Sequence, residues 1–354
     1  MVRPGIIEHI RKGRVTQMAT IKMVADYAGV STATVSRALS SPDLVTPETR
    51  KKVQKAIEHL GYAPNFNARS LRALRTTKIV MMVPDIANPF FSEVVQGAEE
   101  AAQLAGYSVL LGDTKDDAER ENQYASMLLS NEVDGVIFLG HRLPAILSRM
   151  VSERGFRAPV VNACDFTADH GISGVRIDNE AAAFAATELL LAMGHHHLGV
   201  IAGPLDSPIT QARLAGVRRC LGQQGLGEQV RVSHGSYTME DGAEEASAFL
   251  QSPERPTALF CFSDELALGA LSALRTVNLS CPGDVSIVGF DDVRFARFVA
   301  PPLTTVRQPM RRIGESAVNL LLSILAGRSE TQEIVTLQHE LVMRQSTGPA
   351  HQPG

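Results

Sequence analysis

Thr32, Ala33, Thr34, Ser36 and Arg37 put hydroxyls, a small apolar group and a guanidinium into one short run. That mixture suits DNA base edges. Arginine pairs bidentately with guanine, hydroxyls bond to several bases, and small side chains meet thymine methyls. The enclosing segment, VADYAGVSTATVSRAL, has the spacing of a helix-turn-helix. Ala25 is small enough for two helices to approach. Gly29 can adopt the positive φ of a tight turn, and Ser31 can cap the second helix. Val30, Val35 and Leu39 are expected to face the first helix, leaving the five residues above outside. Catalytic chemistry finds no comparable run. There is no nucleophile motif, no triad order, no GxGxxG and no P-loop, so no enzyme activity and no cofactor are expected. His195, His196 and His197 are consecutive ahead of a strand. They point in different directions, so no metal is expected.

These residues need elements to hold them. Thr46 is placed to cap a third helix, Pro47 to start it and Gly61 to end it. Val53, Ala56, Ile57 and Leu60 give that helix one apolar face. Residues 1–76 carry 13 Lys and Arg against 5 Asp and Glu, a net of +8. The chain as a whole nets −4, which leaves −12 for residues 77–354. A basic head on an acidic body points to phosphate binding by the head alone.

From Lys78 onward apolar strands alternate with helices. Strands are expected at 78–83, 108–111, 135–139, 160–162, 198–202, 258–261 and 285–290. Helices are expected near 91–106, 119–130, 180–193, 211–224 and 266–277. The fold class is therefore α/β, with parallel sheets covered by helices on both faces. In such folds ligands sit beyond the carboxyl ends of strands. Asp85, Asn88, Phe90 and Phe91 follow the first strand. Asn162 ends another. Arg213 opens a helix after Gly203-Pro204. Ser263-Asp264 and Asp291-Asp292 follow later strands, and Gln308 sits in a crossover.

Further order comes from Gly61-Tyr62-x-Pro64-Asn65 and Ala68-Arg69-Ser70-Leu71, which follow the three helices. Taken together with the helix-turn-helix, this arrangement resembles the LacI/GalR family of bacterial transcription regulators, from Ala19 to about Ser346. The resemblance implies a hinge helix in which Asn65, Ala68 and Arg69 lie on operator DNA and Leu71 wedges into the minor groove. It also implies a two-lobed body like the periplasmic ribose-type binding proteins. Arg213 and Asp291 would then hold sugar hydroxyls. Asp85, Asn88, Asn162, Ser263 and Gln308 would add polar contacts, and Phe90, Phe91, Tyr237 and Phe290 would stack on the ligand. Asp264 and Asp292 fit equally well as helix caps or as ligands. The histidine run corresponds to a Gly-His turn before a strand.

Within the family, STATVSRAL, Gly112-Asp113, Leu139-Gly140, Arg142-Leu143-Pro144, Cys261 and the run from Pro301 to Thr305 resemble a nucleoside-responsive branch. A plain pentose or hexose is the alternative effector. Met23, Ser40 and Ile209 depart from the usual family pattern and leave the exact operator and effector open. No terminal heptad run extends the chain, so a homodimer is expected. Operator DNA and a small effector are the other partners, with no membrane. The four cysteines form no metal or disulfide pattern and, with no secretory signal, imply a cytoplasmic protein. The expected organisation is an extension at 1–17 and a DNA-binding head at 18–64, both ahead of a hinge at 65–76. A two-lobed effector and dimerisation domain at 77–346 follows, with crossovers near 176, 306 and 337. The extension and a tail at 347–354 are expected to be disordered. A transport binding protein or an α/β enzyme are the rival classes.

Overall fold

The computed structural model describes residues 19–62, 75–164, 171–226 and 230–350. The chain divides into two compact units between Leu74 and Arg75. The expectations for residues 1–17 and for Asn65, Ala68, Arg69 and Leu71 lie outside the described residues.

The first unit holds α1 (Ile21–Ala28), α2 (Thr32–Ser40) and α3 (Pro47–Leu60). Gly29 ends α1 with φ 65°, a left-handed conformation that costs glycine little. The Ser31 hydroxyl accepts the Thr34 N–H at 3.1 Å and starts α2. Thr46 caps α3 in the same way, with Pro47 in its first turn. Val24, Ala25, Val35, Val53 and Ala56 form the small core, with Val30 and Leu39 packed against it. A short 3₁₀ turn at Pro42–Leu44 lies between α2 and α3. The Arg50 guanidinium fastens it by donating to Pro42 O and Asp43.

The second unit contains two six-stranded sheets among its described residues. The first runs in the order β11-β5-β4-β3-β1-β2 and is wholly parallel. Its strands are β1 (Lys78–Val83), β2 (Ser108–Asp113), β3 (Gly135–Phe138), β4 (Val160–Ala163), β5 (Ser173–Ile177) and β11 (Ile334–Leu337). The second runs β12-β10-β9-β8-β6-β7. It comprises β6 (Leu198–Ala202), β7 (Val230–His234), β8 (Ala258–Cys261), β9 (Ser286–Asp291), β10 (Thr304–Arg307) and β12 (Glu340–Val342). Only β12 is antiparallel to its neighbour. Central strands such as KIVMMV are apolar and buried nearly throughout because helices cover both faces.

The covering helices are α4 (Pro89–Leu104), α5 (Ala118–Leu129), α6 (Ala145–Arg154), α7 (Asn179–Ala192), α8 (Pro208–Gln223), α9 (Met239–Leu250), α10 (Asp264–Thr276) and α11 (Met310–Leu325). α4 packs closely on α11. A Cβ at Gly314 would stand 2.0 Å from Val94 O, and one at Gly97 would stand 2.0 Å from Arg311 O. Only glycine permits that backbone approach.

The chain passes between the sheets three times: after Ile177 into α7, after Arg307 into α11, and from Leu337 to Glu340. These passages are hydrogen-bonded into the lobes. Arg307 donates to Asp292 at 2.7 Å and to Glu340 at 2.7 Å, which ties the second passage to the third.

Several elements differ from the sequence expectation. The strand-helix rhythm omitted α6, α9, α11 and the strands β5, β7, β10, β11 and β12. The helix expected near 211–224 begins at Pro208, because Ser207 caps it and Pro208 occupies its first turn. Arg213 therefore sits in the second turn and does not open the helix. The tail also needs correcting at residues 348–350. Gly348 N–H donates to Ser286 Oγ at 3.1 Å, and Ala350 N–H donates to Met193 O at 2.8 Å. These bonds fasten 348–350 to the second lobe, where composition alone suggested disorder.

Candidate functional site

Residues that follow strand ends in both sheets line one cavity of about 160 Å³. After β1 come Asp85, Asn88, Phe90 and Phe91. Asp116 follows β2, and His141 follows β3. The second lobe contributes Arg213 from α8, Tyr237 after β7, Ser263 after β8, Asp291 at the end of β9 and Gln308 after β10. These are the carboxyl ends of parallel strands, where ligands bind in α/β sheets.

Arg213 is 3% exposed and lies with its guanidinium carbon 3.5 Å from the Phe290 ring centre. Its Nε donates to Asn179 Oδ1 at 2.9 Å, and its Nη1 donates to Phe262 O. Asn179 is the first residue of α7, just past the first passage between lobes. Nη2 has no hydrogen-bond partner among the described residues, which leaves it for a ligand oxygen.

Asp291 is 6% exposed and has φ 112°, a strained value for a non-glycine residue. Its Oδ1 accepts from Gln308 Nε2 at 2.7 Å. Gln308 N–H in turn donates to Asp291 O at 3.1 Å, so the second passage grips this residue twice. Burial pushes the Asp291 carboxyl up to about 7, against the opposing pull of the Arg213 charge and the Gln308 amide. A carboxylate has lone pairs beyond those used here, so acceptor capacity remains.

The neighbouring acids have structural roles. Ser263, not Asp264, caps α10 by accepting the Leu266 N–H at 3.1 Å. Asp264 is fully buried and accepts from Val293 N–H at 2.8 Å and Thr305 Oγ1 at 2.6 Å. Burial, followed by the nearby Asp291, holds its carboxyl well above the ordinary range. Asp292 pairs with Arg307 at 2.7 Å and Arg344 at 2.5 Å. Neither Asp264 nor Asp292 lines the cavity.

The apolar wall is built from rings. Phe90 and Phe91 meet edge to face, with centres 5.2 Å apart. The Tyr237 hydroxyl bonds to Thr210 Oγ1 at 2.8 Å. A Cβ at Gly203 would come within 2.0 Å of the Tyr237 ring, so the ring lies directly on glycine backbone.

Two expected wall residues are elsewhere. Asn162 donates its amide to Phe138 O at 3.1 Å and Gly140 O at 3.2 Å, tying two strand ends together. Phe290 lies under Arg213 and stacks on the protein's own guanidinium. Asp85 is at the wall, where its Oδ1 also accepts the Ala87 N–H at 2.8 Å. Asn88 is there too, capping α4 through Phe90 N–H at 2.9 Å. The sequence reading missed Asp116, His141, Ser207 and the supporting Asn179. Ser207-Pro208 carried a legible signal, since a cap followed by proline marks a helix start. His195 spends both ring nitrogens on protein, with Thr257 Oγ1 and Gly348 O each at 2.9 Å.

On the helix-turn-helix, Thr32, Ala33 and Arg37 are exposed along α2, while Thr34 and Ser36 are half-buried. Thr34 Oγ1 lies 2.9 Å from Ser31 Oγ, so that hydroxyl is shared with the cap.

Comparison with known proteins agrees with both units. Residues 20–65 match the model for bacterial regulatory proteins of the lacI family, and residues 187–347 match a periplasmic binding protein-like domain. The chain is 39% identical over 330 residues to the HTH-type transcriptional repressor CytR of Escherichia coli K12, covering 93% of this chain and 96% of that one. It superposes on the lac repressor dimer bound to operator and the anti-inducer ONPF with TM-score 0.85 at 28% identity, covering 94% of this chain and 100% of that one. A LacI family regulator from Enterococcus faecium with bound ribose gives TM-score 0.69 at 25% identity, covering 77% and 99%. The chain belongs to the lacI family of bacterial regulatory proteins.

Proposed function

We propose that this chain is a cytoplasmic, homodimeric transcriptional repressor whose operator affinity is set by a nucleoside bound between the two lobes. The observation that carries the effector reading is that Arg213 and Asp291 of the second lobe line the same aromatic-walled cavity. Nη2 of Arg213 donates and Asp291 accepts, which fits neighbouring ribose hydroxyls with charge-assisted bonds. Phe90, Phe91 and Tyr237 offer ring faces and edges to a flat base. The similarity to CytR supports a nucleoside, and the ribose-bound relative supports a free pentose as the second reading.

The same two residues give the ligand a route to the rest of the body. Arg213 bonds to Asn179 beside the first passage, and Asp291 bonds to Gln308 at the second. A ligand that engages both residues acts on two of the three connections between lobes. DNA is read by Thr32, Ala33, Thr34, Ser36 and Arg37 of the head and by Asn65, Ala68, Arg69 and Leu71 of the hinge at 65–76. Each head of the dimer occupies one half-site of a pseudo-palindromic operator.

Calorimetry of the full chain with nucleosides, nucleobases and pentoses tests the effector reading. Nucleoside binding that Asp291→Ala weakens by about ten- to a hundredfold supports it, as expected for loss of a charged hydrogen-bond partner. Binding of free pentose with no nucleoside binding gives the second reading. Nucleoside binding indifferent to Asp291→Ala places the ligand elsewhere.

A further inference from the structure

A nucleoside and its monophosphate carry the same base and ribose. Every contact that accepts the first is open to the second, so telling them apart requires an element that repels phosphate. The cleft holds such an element. Three acids line it, Asp85, Asp116 and Asp291, the last with its carboxyl pushed up by burial, against one permanent cation in the lining, Arg213. Asp206 adds a fourth acid beside the wall, 3.7 Å from His141. Glu265 lies close behind. Its carboxyl is raised first by burial and then by Asp85, in the opposite lobe, and Glu240. The acids of the two lobes thus share one field across the cleft.

Arg142 stands beside the same wall, donating to Asp116 O at 2.8 Å, and the one cation in the lining is poorly arranged for phosphate. Arg213 has committed Nε to Asn179 and one Nη1 hydrogen to Phe262 O, which removes the two-pronged Nε–Nη2 face and leaves a reduced donor set for phosphate. Helix starts are the other common phosphate cradle. Four helices begin at this wall, and each is capped by its own side chain: Asn88 on α4, Ser207 on α8, Thr238 on α9 and Ser263 on α10. Two of them place proline, which has no N–H, in the first turn, and the other two carry a pair of acids there, Glu240-Asp241 and Asp264-Glu265. Few backbone donors remain for a dianion.

From this we infer that the cleft is a charge filter, which admits an uncharged nucleoside or pentose and rejects the phosphorylated form of the same molecule. The inference rests on the small-ligand reading of this cleft and specifies its ligand class. It gives the repressor a response to free nucleosides that the nucleotide pool does not swamp.

The test measures affinities of the full chain for cytidine and uridine against their monophosphates, and for ribose against ribose phosphate. A nucleoside bearing a neutral acetyl ester in place of the phosphate controls for size. The phosphorylated member of each pair is expected to bind at least about tenfold more weakly. The gap should narrow between about 50 mM and about 300 mM salt, because screening weakens repulsion at the cleft mouth. The acetyl ester should bind much better than the monophosphate, and Asp116→Lys should shrink the ratio within each pair.

Equal affinities within a pair overturn the filter while leaving the nucleoside reading intact. A monophosphate and an acetyl ester rejected alike, without salt dependence, overturn it in favour of simple exclusion by size. If ribose binds and nucleosides do not, the nucleoside reading fails and the ribose pair decides the filter alone. If neither member of any pair binds, the filter falls together with the small-ligand reading.

Discussion

Asp291 joins ligand chemistry to pH. Burial pushes its carboxyl up to about 7, well above an ordinary aspartate. Below that value it is protonated and accepts weakly; above it the carboxylate is a strong acceptor for a ribose hydroxyl. A ligand that bonds to the ionised form pulls the carboxyl back down and releases a proton on binding. Nucleoside affinity should therefore rise between about pH 6 and about pH 8. Calorimetry in buffers of different ionisation enthalpy should show proton release over the same range. Asp291→Asn should flatten the profile. A wild-type profile that is already flat would remove Asp291 from direct ligand contact. The sequence placed Asp291 at a strand end and Asn88 just after one, whereas Arg213, inside α8, took its ligand role only from the family resemblance. It misplaced Phe290, whose neighbour in the strand projects to the other side. Asp116 and His141 were missed because loops carry no periodic signal.

Helix packing makes a different demand on the chain. The α4–α11 contact has no room for one methyl at Gly314, where the obstruction is the Val94 carbonyl and not a flexible side chain. Gly314→Ala should cost about 1–3 kcal/mol or more, read as a lowered Tm, since backbone must shift to accommodate it. An unchanged Tm would show that the two helices separate freely. A second test concerns α7. Asn179→Ala removes the acceptor for Arg213 Nε beside the first passage. We expect ligand still to bind, within about tenfold, while its effect on operator affinity falls. Loss of binding and response in equal measure would make Asn179 a part of the ligand site alone. Among the elements, fully buried strands such as β6 and β8 were legible to the residue, because an apolar run between turn residues has few alternatives. The edge strand β7 was not, since VRVSH is partly exposed and polar. α11 could have been found. Ile313, Ala317, Leu320, Leu321 and Ile324 recur at helical spacing and are buried on one face.

The whole chain combines a basic head with an acidic two-lobed body, and its control depends on how tightly the two are coupled. By linkage, a ligand that changes operator affinity by some factor must have its own affinity changed by the operator through the same factor. The most direct measurement is operator affinity of the full dimer with and without saturating nucleoside, at one fixed salt concentration, paired with nucleoside affinity with and without saturating operator. We predict preference for operator over random DNA, a ligand-induced change of about fivefold or more, and the same factor in the reciprocal experiment. Operator affinity that does not move when the cleft is saturated, or binding equal on operator and random DNA, would show that this chain is not a ligand-controlled repressor.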